Sequence, residues 1–109
     1  MVSNYTPNKG DIVWISLGPT LGHEQRGRRP ALVLSPRSYN GLVGLSIICP
    51  LTNISKGYPY EVSVGGKGVI LTDQVRSVAW KERKIEYVAS LPANVLNDVF
   101  DKLKTLLEI

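Results

Sequence analysis

The stretch "GDIVWISLGPTLGHEQRGRRPALVLSP", Gly10 to Pro36, decides the fold because it joins two strand patterns through a polar loop. Gly10–Leu17 is rich in β-branched and aromatic residues and lies between turn residues, which predicts a first strand. Ala31–Ser35 is a continuous apolar run, which is typical of a strand buried on both faces. The polar connection is longer than an ordinary hairpin loop of about two to five residues. We therefore expect two core strands that hold a functional loop between them.

The middle of the chain, residues 35–91, contains further short strand patterns. Residues 35–41 are predicted as a turn, and the following strand is expected to end at Pro50, because proline offers no N–H to a ladder. The "GGKG" segment predicts a tight hairpin. The further predicted strands are Leu42–Pro50, Tyr60–Val64, Val69–Trp80 (two strands broken near Thr72 and Asp73) and Lys84–Leu91.

The C-terminal segment "PANVLNDVFDKLKTLLEI" predicts one amphipathic helix that begins near Ser90 and Pro92. Its apolar residues recur at steps of three and four: Leu96, Val99, Phe100, Leu103, Leu106 and Leu107. Six or seven short strands with one terminal helix indicate a mainly β fold, a small bent sheet or barrel with the helix packed on it. With 109 residues, the chain is expected to be a single domain over residues 1–109.

Composition limits the classes of protein to consider. The chain has 43% hydrophobic and 20% charged residues, as an ordinary globular protein does. The single cysteine, Cys49, lies in the apolar run "GLSIICP" and is expected to be a core thiol in a reducing compartment, which favours the cytoplasm. No apolar run approaches the roughly 18 residues of a membrane span, and the N-terminus lacks the pattern of a secretion signal.

The net charge of +4 is concentrated near the N-terminal end and indicates a polyanionic partner. The charged residues within residues 1–40 are Lys9, Arg26, Arg28, Arg29 and Arg37 against Asp11 and Glu24.

Metal and nucleotide cofactors are not expected. One histidine and one cysteine are too few for a zinc site, and no calcium-loop spacing or phosphate-binding glycine motif is present.

A second polar loop, "PLTNISKGYP", contributes hydroxyl groups, a lysine and a tyrosine. If both loops emerge at one rim of the sheet, they form a basic pocket in which arginine binds phosphate through two parallel N–H bonds. Tyr58 is an aromatic ring on which a base can stack. The alternative is that the arginines form a solvated turn and that Thr52 only caps its own loop, and composition alone leaves both open.

Three motifs together resemble one protein family. "GDIVWISLGPTLGHEQRGRRPALVLSP", "CPLTNISKGYPYEV" and "LTDQVRSVAW" resemble, in order and spacing, the MazF/PemK family of toxin endoribonucleases, with the likeness extending from about Tyr5 to Trp80. The resemblance implies an SH3-like β-barrel (CcdB/PemK-like) with a C-terminal helix. It also implies a homodimer that cuts single-stranded RNA at short sequences without a metal and is neutralised by a cognate acidic antitoxin.

The resemblance assigns roles residue by residue. Arg29, directly before the proline of the family's E-Q-x-G-x-R-P motif, and Thr52, in its P-x-T motif, are implied to be the catalytic pair, with Glu24 supporting the site, contacting RNA or acting as base. His23 is interpreted as a lone surface histidine. The residues expected to bind RNA are Gln25, Arg26, Arg28, Ser55, Lys56, Tyr58, Asp73, Gln74 and Arg76.

Two other functions remain as alternatives. A toxin of the same barrel type, resembling the CcdB gyrase poisons, acts by contact and cleaves nothing, but it would not explain the two catalytic motifs. A plain SH3-like adaptor is the third hypothesis.

RNA cleavage needs only positioning, proton transfer and charge stabilisation, because the 2′-hydroxyl of the RNA is itself the nucleophile. Arginine is protonated at physiological pH, with a pKa above about 12, and so has no lone pair with which to act as base. Arg29 is therefore expected to stabilise charge and to act as general acid.

Overall fold

The computed structural model describes residues 4–18, 22, 24–66 and 68–109, and in them seven strands form one antiparallel sheet. The mainly β fold with a C-terminal helix is thereby confirmed. Two short 3-10 turns, Thr72–Gln74 and Trp80–Glu82, flank the strand Arg76–Val78. In chain order the strands and helices are β1 (Asp11–Ser16), β2 (Arg28–Val33), α1 (Arg37–Val43), β3 (Ser46–Thr52), β4 (Glu61–Ser63), β5 (Val69–Leu71), β6 (Arg76–Val78), β7 (Glu86–Ser90) and α2 (Ala93–Leu107).

The strand order places β2 and β3 in the middle of the sheet. The order is β4-β5-β3-β2-β1-β7, and β6 pairs with β3 beside this path. β3 changes partner along its length: Ser46–Ile48 pair with β6, and Leu51 and Thr52 pair with β5. Between the described strands no ladder joins β4 to β7, so the sheet is open between these two strands.

Side-chain alternation along β1 and β2 divides the core between the two faces of the sheet. Ile12 and Leu32 belong to the cluster that α2 covers through Val99 and Leu103. A second cluster on the other face contains Val13, Ile15, Leu17, Ala31, Val33, Ile48 and Val78. Each strand in the middle of the sheet therefore contributes to two cores, which keeps its backbone fixed.

The apolar stripe of α2 agrees with the prediction except at its end. Val99 and Leu103 are buried, and Leu96 and Phe100 pack against the same cluster. Leu107, predicted on the buried side, is 60% exposed and ends the helix, because the contacts with the sheet stop before the last turn. The helix begins at Ala93, directly after Pro92, whereas Ser90 is the last residue of β7.

The second core strand begins earlier than predicted. β2 starts at Arg28 instead of Ala31, and its first residues pair with β1, where Ser16 lies opposite Arg28 and Trp14 opposite Pro30. The two arginines can lie in a strand because this end of β2 is exposed, so their charges stay in contact with water. Arg29 is therefore part of a strand and not of the loop.

A short helix replaces the predicted turn and the start of the next strand. α1 covers 37–43, and β3 begins only at Ser46, so the predicted strand Leu42–Pro50 is wrong at both ends. The buried Asn40 explains the helix: its Nδ2 donates to the carbonyl oxygens of Pro7 and Ser35, each at 2.9 Å. The Trp80 indole donates to the Asn40 carbonyl oxygen at 3.0 Å. These long-range hydrogen bonds outweigh a weak local helix propensity.

Pro50 lies inside β3, so the prediction that it ends the strand is also wrong. The Leu34 N–H donates to the Ile47 carbonyl oxygen at 2.8 Å, so the backbone polar groups of Ile47 point toward β2. Backbone polar groups alternate in direction along a strand, so those of Cys49 also point toward β2 and those of residue 50 point away from it. The Pro50 nitrogen therefore faces the edge of β3 that is opposite to β2. Along that edge, Pro50 lies between Ser46–Ile48, which pair with β6, and Leu51 and Thr52, which pair with β5. A missing N–H costs no ladder hydrogen bond there.

Cys49 is a core thiol, as predicted from the sequence. Its side chain is buried in β3 among the cluster under α2. Burial raises the pKa of the Cys49 thiol to about 12, with a smaller contribution from the Asp73 carboxylate. The thiol is therefore neutral at physiological pH, which argues against a role as a nucleophile.

Candidate active site

Arg29 is held by the backbone at the exposed end of β2. Its Nε donates to the Arg26 carbonyl oxygen at 2.9 Å, and its Nη1 makes a longer contact of 3.4 Å with the Leu51 carbonyl oxygen. Two carbonyl groups from different parts of the chain thus orient one planar guanidinium group. Because a guanidinium has five N–H donors, these bonds leave part of the fork to bind an anion.

Thr52 lies at the same end of the ladder between β2 and β3 as Arg29. Ala31 and Pro50 form the last pair of this ladder, and Arg29 and Thr52 are each two residues beyond that pair. The Thr52 Oγ1 accepts a hydrogen bond from the Ile54 N–H at 3.3 Å, so the hydroxyl proton is not used in this bond. A fixed cation and a hydroxyl donor therefore lie at one end of the two central strands.

Both residues line one groove at the ends of β2 and β3, which we call the Arg29 groove. Its volume is about 260 Å³. Among the lining residues that the structure describes there is no carboxylate, which favours entry of an anionic group. The lining residues are Trp14, Arg28, Arg29, Pro30, Leu51, Thr52 and Asn53.

Arg28 differs from Arg29 because an ion pair occupies its guanidinium. Its Nη2 lies 2.7 Å from Glu86 Oε1, and its Nη1 donates to the Lys84 carbonyl oxygen at 2.6 Å. Exposed ion pairs of this kind contribute about 0–1 kcal/mol. The structure thus places Arg28 in the groove but directs two of its donors toward β7 and the turn before it.

Five of the residues predicted to act on RNA meet in a second groove of about 180 Å³, which we call the Gln74 groove. The Gln25 N–H donates to Gln74 Oε1 at 2.8 Å and so joins the first polar loop to the turn before β6. Neighbouring residues of β3 contribute to the two grooves, since Pro50 lines one and Leu51 the other. The Gln74 groove is lined by Glu24, Gln25, Pro50, Asp73, Gln74, Val75 and Arg76.

The part of the loop after β3 that carries Ser55, Lys56 and Tyr58 is organised around Glu61 and lines neither groove. The Ser55 hydroxyl donates to Glu61 Oε1 at 2.7 Å, and the Lys56 N–H donates to Oε2 at 3.0 Å. The Ser55 hydrogen bond and then the backbone donors hold the pKa of Glu61 below its usual range. Lys56 Nζ lies 6.0 Å from the centre of the exposed Tyr58 ring. The structure therefore brings these three predicted residues together, outside both grooves.

Two predicted residues need separate mention. The Arg26 side chain is exposed, and its carbonyl oxygen holds Arg29. His23 lies outside the described residues.

Across the described ranges, no group of three or more His, Cys, Asp or Glu side chains has the arrangement needed to hold a metal ion. The helices of these same ranges include none with the length and apolar composition of a membrane span.

Trp14 lines the Arg29 groove and was not among the residues chosen from the sequence. In "GDIVWISL" it has the same pattern as its apolar neighbours, which indicates a core residue. The structure shows a different environment, because Ile12 on the same face is 9% exposed under α2 whereas Trp14 is 41% exposed. No local signal marks where the cover of the helix ends.

Comparison with known proteins agrees with this geometry. The family described as "PemK-like, MazF-like toxin of type II toxin-antitoxin system" matches residues 8–107. The chain is 51% identical over 86 residues to the endoribonuclease toxin MazF of Escherichia coli K12, covering 76% of this chain and 78% of that protein. It is 34% identical over 107 residues to the E. coli endoribonuclease PemK, covering 91% of this chain and 80% of that protein.

Solved structures give the same result. A crystal structure of MazF from Deinococcus radiodurans superposes with a TM-score of 0.91 at 49% identity, covering 97% of this chain and 100% of that one. A MazE–MazF complex from the same organism superposes with a TM-score of 0.87 at 48% identity, covering 97% and 99%. The chain therefore belongs to the family of PemK-like, MazF-like toxins of type II toxin–antitoxin systems.

Proposed function

We propose that this protein is an endoribonuclease toxin that cuts single-stranded RNA in the Arg29 groove without a metal ion. The observation that carries the proposal is the Arg29 guanidinium, oriented by the carbonyl oxygens of Arg26 and Leu51 in a groove that Thr52 also lines. Membership of the toxin family supports it, as do relatives named as endoribonucleases at 51% and 34% identity.

The proposed reaction uses the substrate's own nucleophile. The 2′-hydroxyl oxygen attacks the adjacent phosphorus, the bond from phosphorus to the 5′ oxygen breaks, and the products end in a 2′,3′-cyclic phosphate and a 5′-hydroxyl. Arg29 binds the non-bridging oxygens, stabilises their growing charge and gives a proton to the leaving 5′ oxygen. The Thr52 hydroxyl donates a further hydrogen bond to the phosphorane-like transition state.

The reaction also needs a general base to take the 2′-hydroxyl proton. Glu24 is the carboxylate that the family resemblance implies, and it lines the Gln74 groove rather than the Arg29 groove. It can act as base only on an RNA that extends from one groove into the other. Its position beside Gln25 and Gln74 favours a second role in contacting the RNA itself.

The proposed RNA path follows the remaining predicted residues. Gln25, Asp73, Gln74 and Arg76 offer donors and acceptors to base edges in the Gln74 groove. Arg26 and Arg28 attract phosphate, and the loop bearing Ser55, Lys56 and Tyr58 extends the basic and aromatic surface beyond the Arg29 groove.

We propose two protein partners. An acidic antitoxin fits the basic N-terminal region, and MazE–MazF complexes of similar structure support such a partner.

The other proposed partner is a second copy of the chain, which fits the region of α1 and β6. Apolar side chains are exposed there, and in the described residues β6 pairs on one edge only. These side chains are Leu42, Val43, Leu45, Ile47 and Val75.

The finer features of the fold and its location belong to the same proposal. β3 pairs with β6 at one end and β5 at the other, a bend that supports an SH3-like barrel. The chain is proposed to be one toxin domain over residues 1–109 that acts in the cytoplasm, where RNA and a reduced Cys49 occur together.

Incubation of the pure protein with a long unstructured RNA in EDTA tests the proposal. Cleavage that produces 2′,3′-cyclic phosphate ends supports it. Intact RNA together with binding to DNA gyrase would favour the CcdB-like alternative, which neither the family match nor the 51% identical relative favours.

A further inference from the structure

Trp14 connects the Arg29 groove to a second, apolar groove. In the register of β1 it lies opposite Pro30 on one side and Glu86 on the other. The apolar groove has a volume of about 250 Å³ and shares Trp14, Pro30 and Leu51 with the Arg29 groove. Its remaining wall is formed by Ile12, Val64 and the segment Val88–Pro92.

The exposed Trp14 side chain lines the same groove as the groups proposed to hold a phosphate, Arg29 and Thr52. With the scissile phosphate bound there, the nucleotides on its two sides would lie within reach of the groove walls. Bases of single-stranded RNA are apolar on their faces and stack on aromatic side chains independently of sequence. Trp14, with Pro30 and Leu51 beside it, presents such a surface.

We propose that Trp14 is a positioning residue that stacks on a base flanking the scissile phosphate, with the apolar groove receiving that base. The inference rests on the proposed RNA cleavage and adds a residue and a surface to it. Continuity with the Arg29 groove favours RNA as the occupant, since a bound phosphate and an adjacent base are covalently joined. Docking of an apolar protein segment is the competing outcome.

Fluorescence separates the two tryptophans of the chain. Trp80 is 6% exposed, and its indole donates to the Asn40 carbonyl oxygen, so its emission is expected to stay constant. The Thr52→Val variant is titrated with a long unstructured RNA while intrinsic emission is followed, and labelled RNA reports binding independently. Stacking predicts quenching that saturates with RNA binding, and a Trp14→Phe, Thr52→Val variant binds RNA without this signal.

Cleavage kinetics distinguish stacking from simple packing. Trp14→Leu keeps an apolar side chain but removes the aromatic face, so KM rises about 5- to 150-fold, as loss of one stacked base predicts, with a smaller change in kcat. Trp14→Phe keeps most of the wild-type KM. Tyr87→Leu is the matched control, because Tyr87 is an exposed aromatic residue on the neighbouring β7 that lines neither groove.

The outcomes are distinct. If the wild-type protein cleaves RNA but emission does not change on binding, or if Trp14→Leu keeps the wild-type KM, the stacking proposal is wrong while the proposed function stands. Quenching by an antitoxin peptide and not by RNA has the same consequence and assigns the groove to a protein segment. If the wild-type protein neither binds nor cleaves RNA, both proposals fail.

Discussion

The Arg29 guanidinium donates to the carbonyl oxygen of Leu51 at 3.4 Å and thereby ties the end of β2 to the residue next to Thr52. The second hydrogen bond, to the Arg26 carbonyl oxygen, fixes the plane of the group. A fork in a defined plane can meet two oxygens of a phosphate at once. Arg28 is also oriented, but by an ion pair with the Glu86 carboxylate, whereas neutral carbonyl groups orient Arg29.

Arg29→Lys is expected to fold normally and to lose cleavage by about 100-fold or more, comparable with removal of a donor from an oxyanion hole. Lysine keeps the positive charge but has no planar fork and cannot make the same two backbone hydrogen bonds. Cleavage rates of a long RNA, with thermal melts as a folding check, measure the effect.

Arg28→Lys is the matched control. Lysine can keep the contact with Glu86, and the change removes no oriented donor from the phosphate site. Activity is therefore expected to stay within about threefold of the wild type. Full activity in both variants would show that charge alone, and not the orientation of Arg29, supports cleavage. Equal losses would show that Arg28 matters to cleavage as much as Arg29 does.

Thr52→Val removes the hydroxyl and keeps the shape of the side chain. Because the hydroxyl is proposed to act mainly in the transition state, cleavage should fall by about 100-fold while RNA binding stays within about threefold. Anisotropy of a labelled RNA gives the affinity, and single-turnover assays give the rate. A parallel loss of binding would instead place the hydroxyl in ground-state recognition.

Two leucines on α2 test the packing of the helix on the sheet. Leu103 is 7% exposed in the cluster under α2, so Leu103→Ala should lower the free energy of unfolding by about 2–5 kcal/mol. Leu107, one turn later and exposed, provides the control, and Leu107→Ala should change it by less than about 0.5 kcal/mol. Urea melts measure both, and similar values would mean that α2 is packed differently.

The antitoxin prediction concerns charge. Residues 1–40 carry five cations and two carboxylates, so a cognate acidic antitoxin should bind them largely through electrostatics. The affinity should fall steeply between low and high salt, because ions screen charges farther apart than about 10 Å at 0.1 M ionic strength. Calorimetry across a salt series measures this. Equal affinity at all salt concentrations, or binding that leaves cleavage intact, contradicts a shared surface.

The sequence predicted the features that depend on local periodicity. The strands around Val13 and Leu32 and the apolar side of α2 follow from side-chain alternation and helical repeat. The features it missed depend on distant contacts. α1 forms because Asn40 is bonded to residues far along the chain, and Pro50 is tolerated because β3 changes partners beside it.

The same division applies to the site. The family motifs pointed to Arg29 and Thr52, and the structure places both in the lining of one groove. The sequence did not indicate that Glu24 lines a separate groove, since this depends on the hydrogen bond between Gln25 and Gln74. Nor did it single out Trp14, whose exposure depends on where α2 stops covering the sheet.

End-group analysis of RNA cut by the wild-type protein in EDTA tests the central claim most directly. Attack by the 2′-hydroxyl, with charge stabilised by Arg29 and Thr52, predicts 2′,3′-cyclic phosphate and 5′-hydroxyl ends and the same rate with or without EDTA. Fragments with 5′-phosphate ends, formed only when a divalent metal is added, would contradict the mechanism.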